Sequence, residues 1–242
     1  DALTPEVLTA AIRRVTVQNR AVPIFCGSGL RNKGIQPLLD AIVDFLPSPV
    51  DVPAIEGKHP VTGAPEVRHA KNDEPFSALA FKVATDEGRK LVYVRVYSGT
   101  MTTGADLWNP RLKESERLAR ILRMHANKRE RVEKAEAGDI VAVVGLKRTT
   151  TGDTLCDSKR PIALEAIDFL KPVISLAIEP KTQKDKEKLD KSLAKLVDED
   201  PTVRVYEDPE TGQTILSGMG ELHLEILVDR LLREFGSEAR VG

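Results

Sequence analysis

The spacing of apolar residues changes from one part of the chain to the next, and each spacing predicts its own elements. Near the start, Leu8, Ala11, Ile12 and Val15 recur on one helical face, with Thr4 suited to cap that helix and Pro5 to its first turn. "AVPIFC", from Ala21 to Cys26, is a short apolar run bounded by a turn and predicts a buried strand. "GSGLRNKG" follows as a loop, and Ile35, Leu38, Leu39, Ile42, Val43 and Leu46 predict a second helix that ends at "LPSPVDVP". Strand, glycine loop and helix in this order form the tail of an α/β unit, placed at residues 1–50, whose earlier strands are not in the chain. Residues 51–74 carry proline and glycine and are expected as a connector.

From Phe76 the period shortens. "LVYVRVYSG" alternates, setting Val92, Val94 and Val96 on one face and Leu91, Tyr93, Arg95 and Tyr97 on the other. "GDIVAVVGL" and "PIALEAIDF" look similar, with turns expected at Gly99, Gly104, Gly138 and Gly152. Many short strands with closely spaced turns predict a small β-barrel over 75–168. "RLARILRM" places Leu118, Ile121 and Leu122 at helical spacing, but its strand-rich surroundings favour a strand.

Beyond Val173 the texture changes again. "VISLAIEP" predicts a strand, and Thr182 a cap for a helix with Leu189, Leu193, Leu196 and Val197 as its stripe. "TVRVY" and "QTILSG" make a hairpin, Leu224, Leu227, Val228, Leu231 and Phe235 mark a second helix, and "EARV" begins a last strand. The order β-α-β-β-α-β over 173–242 is the ferredoxin-like split βαβ sandwich. The fold class expected is therefore multi-domain: α/β at the start, then a β-barrel, then the sandwich.

Composition narrows the chemistry. With 242 residues, 41% of them hydrophobic and 30% charged, the chain can fill two or three cores under a well-solvated surface. A net charge of −1 means that any affinity for nucleic acid must come from a local patch. Cys26 and Cys156 have no zinc spacing and are expected as buried, reduced thiols of a cytoplasmic protein. The apolar run "IVAVVGL" is far too short to span a membrane, so no membrane partner is expected. His59, His69, His125 and His223 are scattered, which argues against a metal site or a catalytic cluster. The chain holds no Gly-x-x-x-x-Gly-Lys-Ser/Thr loop. "NKRE" at Asn127 is only superficially like the guanine-reading Asn-Lys-x-Asp, because it ends in Glu130 and lies among barrel strands. A start at Asp1 without methionine suggests a fragment.

One local patch stands out. Arg111 to Lys134 carries nine Lys/Arg against four Glu and lacks interleaved aromatics, so it suits phosphates and not stacked bases. Arg111, Lys113, Arg117, Arg120, Arg123, Lys128 and Arg129 are the candidate RNA contacts. Lys181 to Asp200, by contrast, has six lysines against six acids, which reads as a helix with charge pairs and not as a phosphate site. In "SGMGELH", Gly218 and Gly220 flank Met219 just ahead of a helix whose electropositive N-terminus is able to meet an anion or another domain's carboxylate, with His223 as a satisfied surface residue the plainer alternative.

These motifs together resemble one family. "EPKT", "DEDPT" and "ETGQTILSGMGELHLEI" are similar to the third domain of elongation factor G, the GTPase that drives ribosomal translocation. "VYSGTMTTG", "RILRMHAN" and "AGDIVAVVGLKRTTTGDTL" resemble its second domain, a translation-factor β-barrel, and "PIFCGSGLRNKGIQPLLDAIVDFLPSP" the end of its P-loop GTPase domain. The resemblance implies that Ser28, Gly29 and Leu30 form a residual guanine-contacting loop. It implies that Gly218, Met219, Gly220, Glu221, Leu222 and His223 face the GTP-binding and C-terminal domains of a longer parent. The parent would be a monomeric GTP hydrolase using GTP and magnesium, with the ribosome (small-subunit RNA and proteins) as partner. This fragment would need no cofactor and would not be an enzyme by itself. A divergent second-copy elongation factor G and a tetracycline-type ribosomal protection protein are rivals within the superfamily, and a stand-alone RNA-binding module is a rival outside it.

Phosphate affinity in such sites comes from a glycine loop's amides, a lysine and magnesium. Titration calorimetry of this chain with a GTP analogue and magnesium should therefore give no binding heat. Micromolar binding would contradict this reading.

Overall fold

The computed structural model describes residues 3–86, 88–126, 128–182, 185–237 and 239–241, and divides the chain into two compact units, Asp1–Ala54 and Ile55–Gly242. In the first unit, helix α1 spans Pro5–Val17 and α2 spans Ile35–Phe45. The Thr4 hydroxyl accepts the Val7 amide and Pro5 occupies the first turn, as the pattern predicts. Arg13 ties the unit together, donating to the carbonyls of Asp44 and Leu46 and pairing with Asp51 at 2.6 Å. Phe25 and Phe45 stack at 6.4 Å.

Two expectations fail here. Ala21–Cys26 joins no ladder, because a strand exists only where a neighbouring strand takes its backbone hydrogen bonds, and among the described residues none pairs with it; the Ala21 amide goes instead to the Val15 carbonyl at 3.3 Å. Cys26 is exposed, not buried, for the same want of a covering layer. Ala41 is the sole buried hydrophobic residue among those described in this unit, while Ile24 is 87% exposed and Val43 77%.

The second unit begins inside the supposed connector. Strand β1 (Ile55–Lys58) pairs with β2 (Pro65–Arg68) and with β13 (Ala163–Leu164), making a three-stranded sheet. This sheet lays Ile55, Ile162 and Leu164 against Leu79, Tyr97, Trp108 and Cys156 of the large sheet. Burial pushes the Cys156 thiol up, so it is a packing residue and not a nucleophile.

The large sheet holds eight antiparallel strands in the order β7-β6-β12-β3-β4-β11-β8-β9. They are β3 (Ser77–Asp86), β4 (Arg89–Ser98), β6 (Asp106–Asn109), β7 (Glu114–Arg117), β8 (Arg120–His125), β9 (Lys128–Val132), β11 (Ile140–Val144) and β12 (Thr154–Cys156). A further pair, β5 (Thr100–Thr102) with β10 (Lys134–Glu136), closes over the same core. That core takes Val92, Val94 and Val96 from the alternating face of β4, with Ile121, Val141, Val143 and Leu155 opposite. The "RLARILRM" segment is strand, as its context predicts, because Ile121 and Leu122 pair with β11 on one side and β9 on the other. Gly99 has φ of 70°, and a Cβ there would lie 2.7 Å from Phe76, so the β4–β5 turn has no room for a side chain.

A buried polar bracket holds the loop from 147 to 153 against β6 and β7. Glu116 accepts the amides of Arg148 and Thr149, and Asp153 accepts from Asn109, the Thr150 amide and Arg111. Burial by itself would raise the Asp153 carboxyl, but Arg111, the Thr150 amide and Asn109 outweigh it and hold it below the ordinary 3.8.

The third domain is a four-stranded sheet in the order β15-β16-β14-β17, with two helices packed on one face. Its elements are β14 (Ile174–Pro180), α3 (Lys186–Glu199), β15 (Arg204–Glu207), β16 (Thr214–Gly218), α4 (Glu221–Arg233) and β17 (Ala239–Val241). Leu189, Leu193 and Leu196 of α3 meet Leu224, Leu227 and Leu231 of α4 over Ile178 and Leu216. The helix α3 starts later than its pattern suggests. Asp185 sits at the N-cap without a side-chain bond, and the Thr182 hydroxyl donates to the Asp185 carboxylate instead.

Asp153→Ala should cost about 2–3 kcal/mol, since it strands Arg111, Asn109 and the Thr150 amide together. Because the folded pKa is depressed, Asp153 stabilises fully above the ordinary carboxylate range and loses its effect as pH falls through the folded value. Urea midpoints at neutral and acid pH check this: the wild-type advantage over Asp153→Ala should shrink towards low pH, and a constant gap would contradict it.

Candidate functional site

Three places were expected to carry function, and the structure treats them differently. At the first, the Ser28 amide donates to the Lys33 carbonyl at 2.9 Å and the Lys33 amide returns to Ser28 at 3.0 Å, closing a small loop. Gly29 and Leu30 stand at its tip, Leu30 fully exposed. Such a tip can present backbone amides to a flat ring edge. Arg31 and Lys33 are exposed beside it, but the loop lacks the Gly-x-x-x-x-Gly-Lys-Ser/Thr cradle and, among the described residues, no cluster of His, Cys, Asp or Glu could hold magnesium. The residues present therefore fit a guanine contact and do not fit the phosphates or the ion.

The basic stretch is not one patch. Arg111 forks onto Asp153 through Nε (2.5 Å) and Nη2 (2.8 Å), which makes it part of the loop bracket. Arg129 pairs with Asp86 at 2.5 Å. Lys113, at φ of 54°, and Arg117, Arg120, Arg123 and Lys128 are exposed and have no ion-pair partner among the described residues. For Arg123 and Lys128 the display has a structural cause. The sheet partner β11 reaches β8 only at Arg120–Leu122, so the far end of the β8–β9 hairpin, with Arg123 and Lys128, runs free of the sheet. Asn127, in the turn of that hairpin, lies outside the described residues.

At the third place, the turn before α4 is organised from within. The Met219 amide donates to His223 Nδ1 at 3.0 Å, and His223 Nε2 lies 3.0 Å from Asp200. Since Nδ1 accepts, the ring proton sits on Nε2 and is donated to the carboxylate. Burial opposes ionisation of Asp200, but the Thr202 hydroxyl, the Thr202 amide and His223 hold its pKa below the ordinary 3.8. The two glycines do different work. A Cβ on Gly218 would meet Leu224 at 2.9 Å and His223 Nδ1 at 3.0 Å, so the close approach there is to the domain's own helix. Gly220 is extended, with open space around it. Outward from the turn, Leu222 (69%) and Ile226 (50%) expose apolar surface on a helix that already buries Leu224 and Leu227.

A fourth place was not anticipated. The end of the β3–β4 hairpin also outruns its sheet, since β12 stops at Leu79 and β11 stops at Val92. It reaches α3 instead. The Thr85 amide donates to Glu199 Oε1 at 2.7 Å, while Glu199 Oε2 takes Arg230 of α4, also at 2.7 Å. Lys90 pairs with Asp198 at 3.0 Å. One signal in the chain pointed here: Asp198, Glu199 and Asp200 crowd the C-terminal end of a helix, where the helix dipole disfavours negative charge. Acids placed there need partners from elsewhere, and each has one.

An antiparallel β-barrel followed by a βαββαβ sandwich, without a nucleotide loop of its own, is the arrangement of the middle domains of a translation factor. The family models agree. Residues 75–158 match Elongation factor G domain 2, and residues 169–242 match Elongation Factor G, domain III. Elongation factor G 2 of Syntrophus aciditrophicus (strain SB) is 60% identical over 97% of the chain. Elongation factor G of Dehalococcoides mccartyi (strain ATCC BAA-2266 / KCTC 15142 / 195) is 58% identical over all of it. A crystal structure from Thermus thermophilus matches the whole chain and 34% of its own, with a TM-score of 0.77 at 28% identity. The chain belongs to the elongation factor G family. It spans about a third, 35%, of the length of these curated relatives.

Gly218→Ala should destabilise the third domain by about 1–3 kcal/mol, because an added methyl overpacks against Leu224 and His223. Gly220→Ala should change stability by no more than about 0.5 kcal/mol. Thermal melts of both variants test the contrast; equal effects would refute the packing account of this turn.

Proposed function

We propose that this chain is the central part of an elongation factor G-type translational GTPase that binds the ribosome and promotes movement of tRNA and mRNA. The observation that carries the reading is the 60% identity to a protein of that name over 97% of the chain, together with the two family models. In this reading residues 1–50 are the end of the GTP-binding domain, 75–168 the second domain and 173–242 the third. The apolar faces that α1 and α2 leave uncovered support that assignment, because a helix buries such a face against a sheet. GTP and magnesium would bind to the parent's GTP-binding domain, with Ser28, Gly29 and Leu30 touching only the base. The parent would work as a cytoplasmic monomer.

The barrel would meet small-subunit RNA through Lys113, Arg117, Arg120, Arg123 and Lys128, whose charges have no ion-pair partner among the described residues, while Arg111 serves the fold. The exposed Leu222 and Ile226 support the reading that the turn from Gly218 to His223 faces the GTP-binding and C-terminal domains of the longer protein.

Reversing the charge of Arg117 and Arg120 in the full-length protein should weaken ribosome binding at low salt and flatten its salt dependence by about one unit per lost phosphate contact. Arg111→Gln should lower the melting temperature more than it lowers affinity. Unchanged affinity of the Arg117 and Arg120 variant at low salt would mean that these arginines are only a solvated face.

A further inference from the structure

The even charge count of the first helix of the third domain hides an uneven surface. Lys188, Lys191 and Lys195 fall three and four residues apart, on one face of α3. With Ser192, Thr85 and Gly88 they line a cavity of about 420 Å³ between the helix and the tip of the β3–β4 hairpin. The acids at the end of α3 are turned to other partners: Asp198 to Lys90, Glu199 to Thr85 and Arg230, Asp200 to Thr202 and His223. Glu234, at the cavity wall, is held by Arg230. Among the described residues, Glu187 alone pairs with one of the three lysines, meeting Lys191 at 2.6 Å with both side chains mostly exposed, and a pair of that kind opens at little cost. Lys188 donates to the Gly236 carbonyl and Lys195 lies 5.5 Å over the Phe235 ring.

We propose that this cavity holds the phosphodiester backbone of RNA and continues the basic hairpin of the barrel onto the third domain. The proposal rests on the reading of the barrel as an RNA-binding surface. The β3–β4 tip joins the two halves. On one side Asp86 holds Arg129 of β9, and on the other Gly88 opens onto the α3 lysines. Ammonium groups on flexible stems are point charges with rotatable donors, suited to phosphate oxygens without demanding one geometry. Among the described residues, Phe235 is the one aromatic ring in the cavity wall, and Lys195 and Arg230 already cover it, so no ring face is left for a base. The site therefore takes backbone and reads no sequence. An RNA strand lying across it would touch both domains at their join.

Fluorescence anisotropy of the whole chain with a short fluorescein-labelled RNA hairpin, over a series of salt concentrations, tests this. Lys191→Gln with Lys195→Gln should lower affinity several-fold at low salt and reduce the slope of log K against log salt by about one to two units. Arg117→Gln with Arg120→Gln should weaken binding separately, and the four changes together should lose roughly the product of the two effects. Wild-type affinity and slope in the lysine variant, alongside weakened binding in the arginine variant, would overturn the cavity and leave the barrel reading intact. No binding by the wild type, or no effect of either pair, would overturn both. Lys191→Gln alone leaves the Phe235 contact in place and should still lower the slope; a wild-type slope there also overturns the proposal.

Discussion

One carboxylate does the joining on which the arrangement of the two characterised domains depends. Glu199 gives one oxygen to the Thr85 amide of the barrel and the other to Arg230 of α4, so a single side chain is shared by both domains and both helices. Its neighbours extend the join: Asp198 holds Lys90, and Asp200 holds His223, which in turn holds the Met219 amide. A displacement of the β3–β4 hairpin thus has a route of direct bonds to the turn before α4. The join is also weak compared with the cores on either side. Each domain closes its own apolar cluster, and among the described residues the bonds that cross between them are polar and partly exposed to solvent. Inter-domain contacts of this kind permit relative motion by default. The covalent link adds little restraint, since Leu170 and Val173 are mostly exposed.

Polar groups serve two ends in this molecule, and burial separates them. Within the barrel, Asp153 and Glu116 are almost fully buried and every oxygen is answered by a nearby amide, hydroxyl or guanidinium, which fixes one loop in one place. On the surface, Arg117, Arg120 and Arg123 have no such answer among the described residues. A basic residue in the sequence is therefore not evidence of binding until its partner has been sought, and Arg111 is the instance that shows why.

Much of the fold was legible in the pattern. The valines of β4, the leucines of α3 and α4 and the order of elements from Val173 onward follow from periods of two and 3.6 residues, which are local properties. What escaped was non-local. Ala21–Cys26 has strand composition but no partner, and composition cannot supply one. The strands β1 and β2 looked like a connector because Gly57 and Pro65 interrupt short polar runs; they become strands because β13, about a hundred residues later, completes the ladder. Arg111 lost its role as a free cation to Asp153, 42 residues away. The candidate surface at Gly218–His223 was visible as a motif, but the bonds that shape it come from Asp200 and from Leu224 within the same domain.

The central claim is that barrel and third domain are joined by charge and not by an apolar interface. Nitrogen-15 relaxation on the whole chain tests it most directly, by giving rotational correlation times for the two domains in wild type and Glu199→Gln, at low and at high salt. Distinct correlation times are expected for the two domains, separating further when salt screens the join and again when Glu199 loses its charge. One shared correlation time, unmoved by salt and by Glu199→Gln, would contradict it.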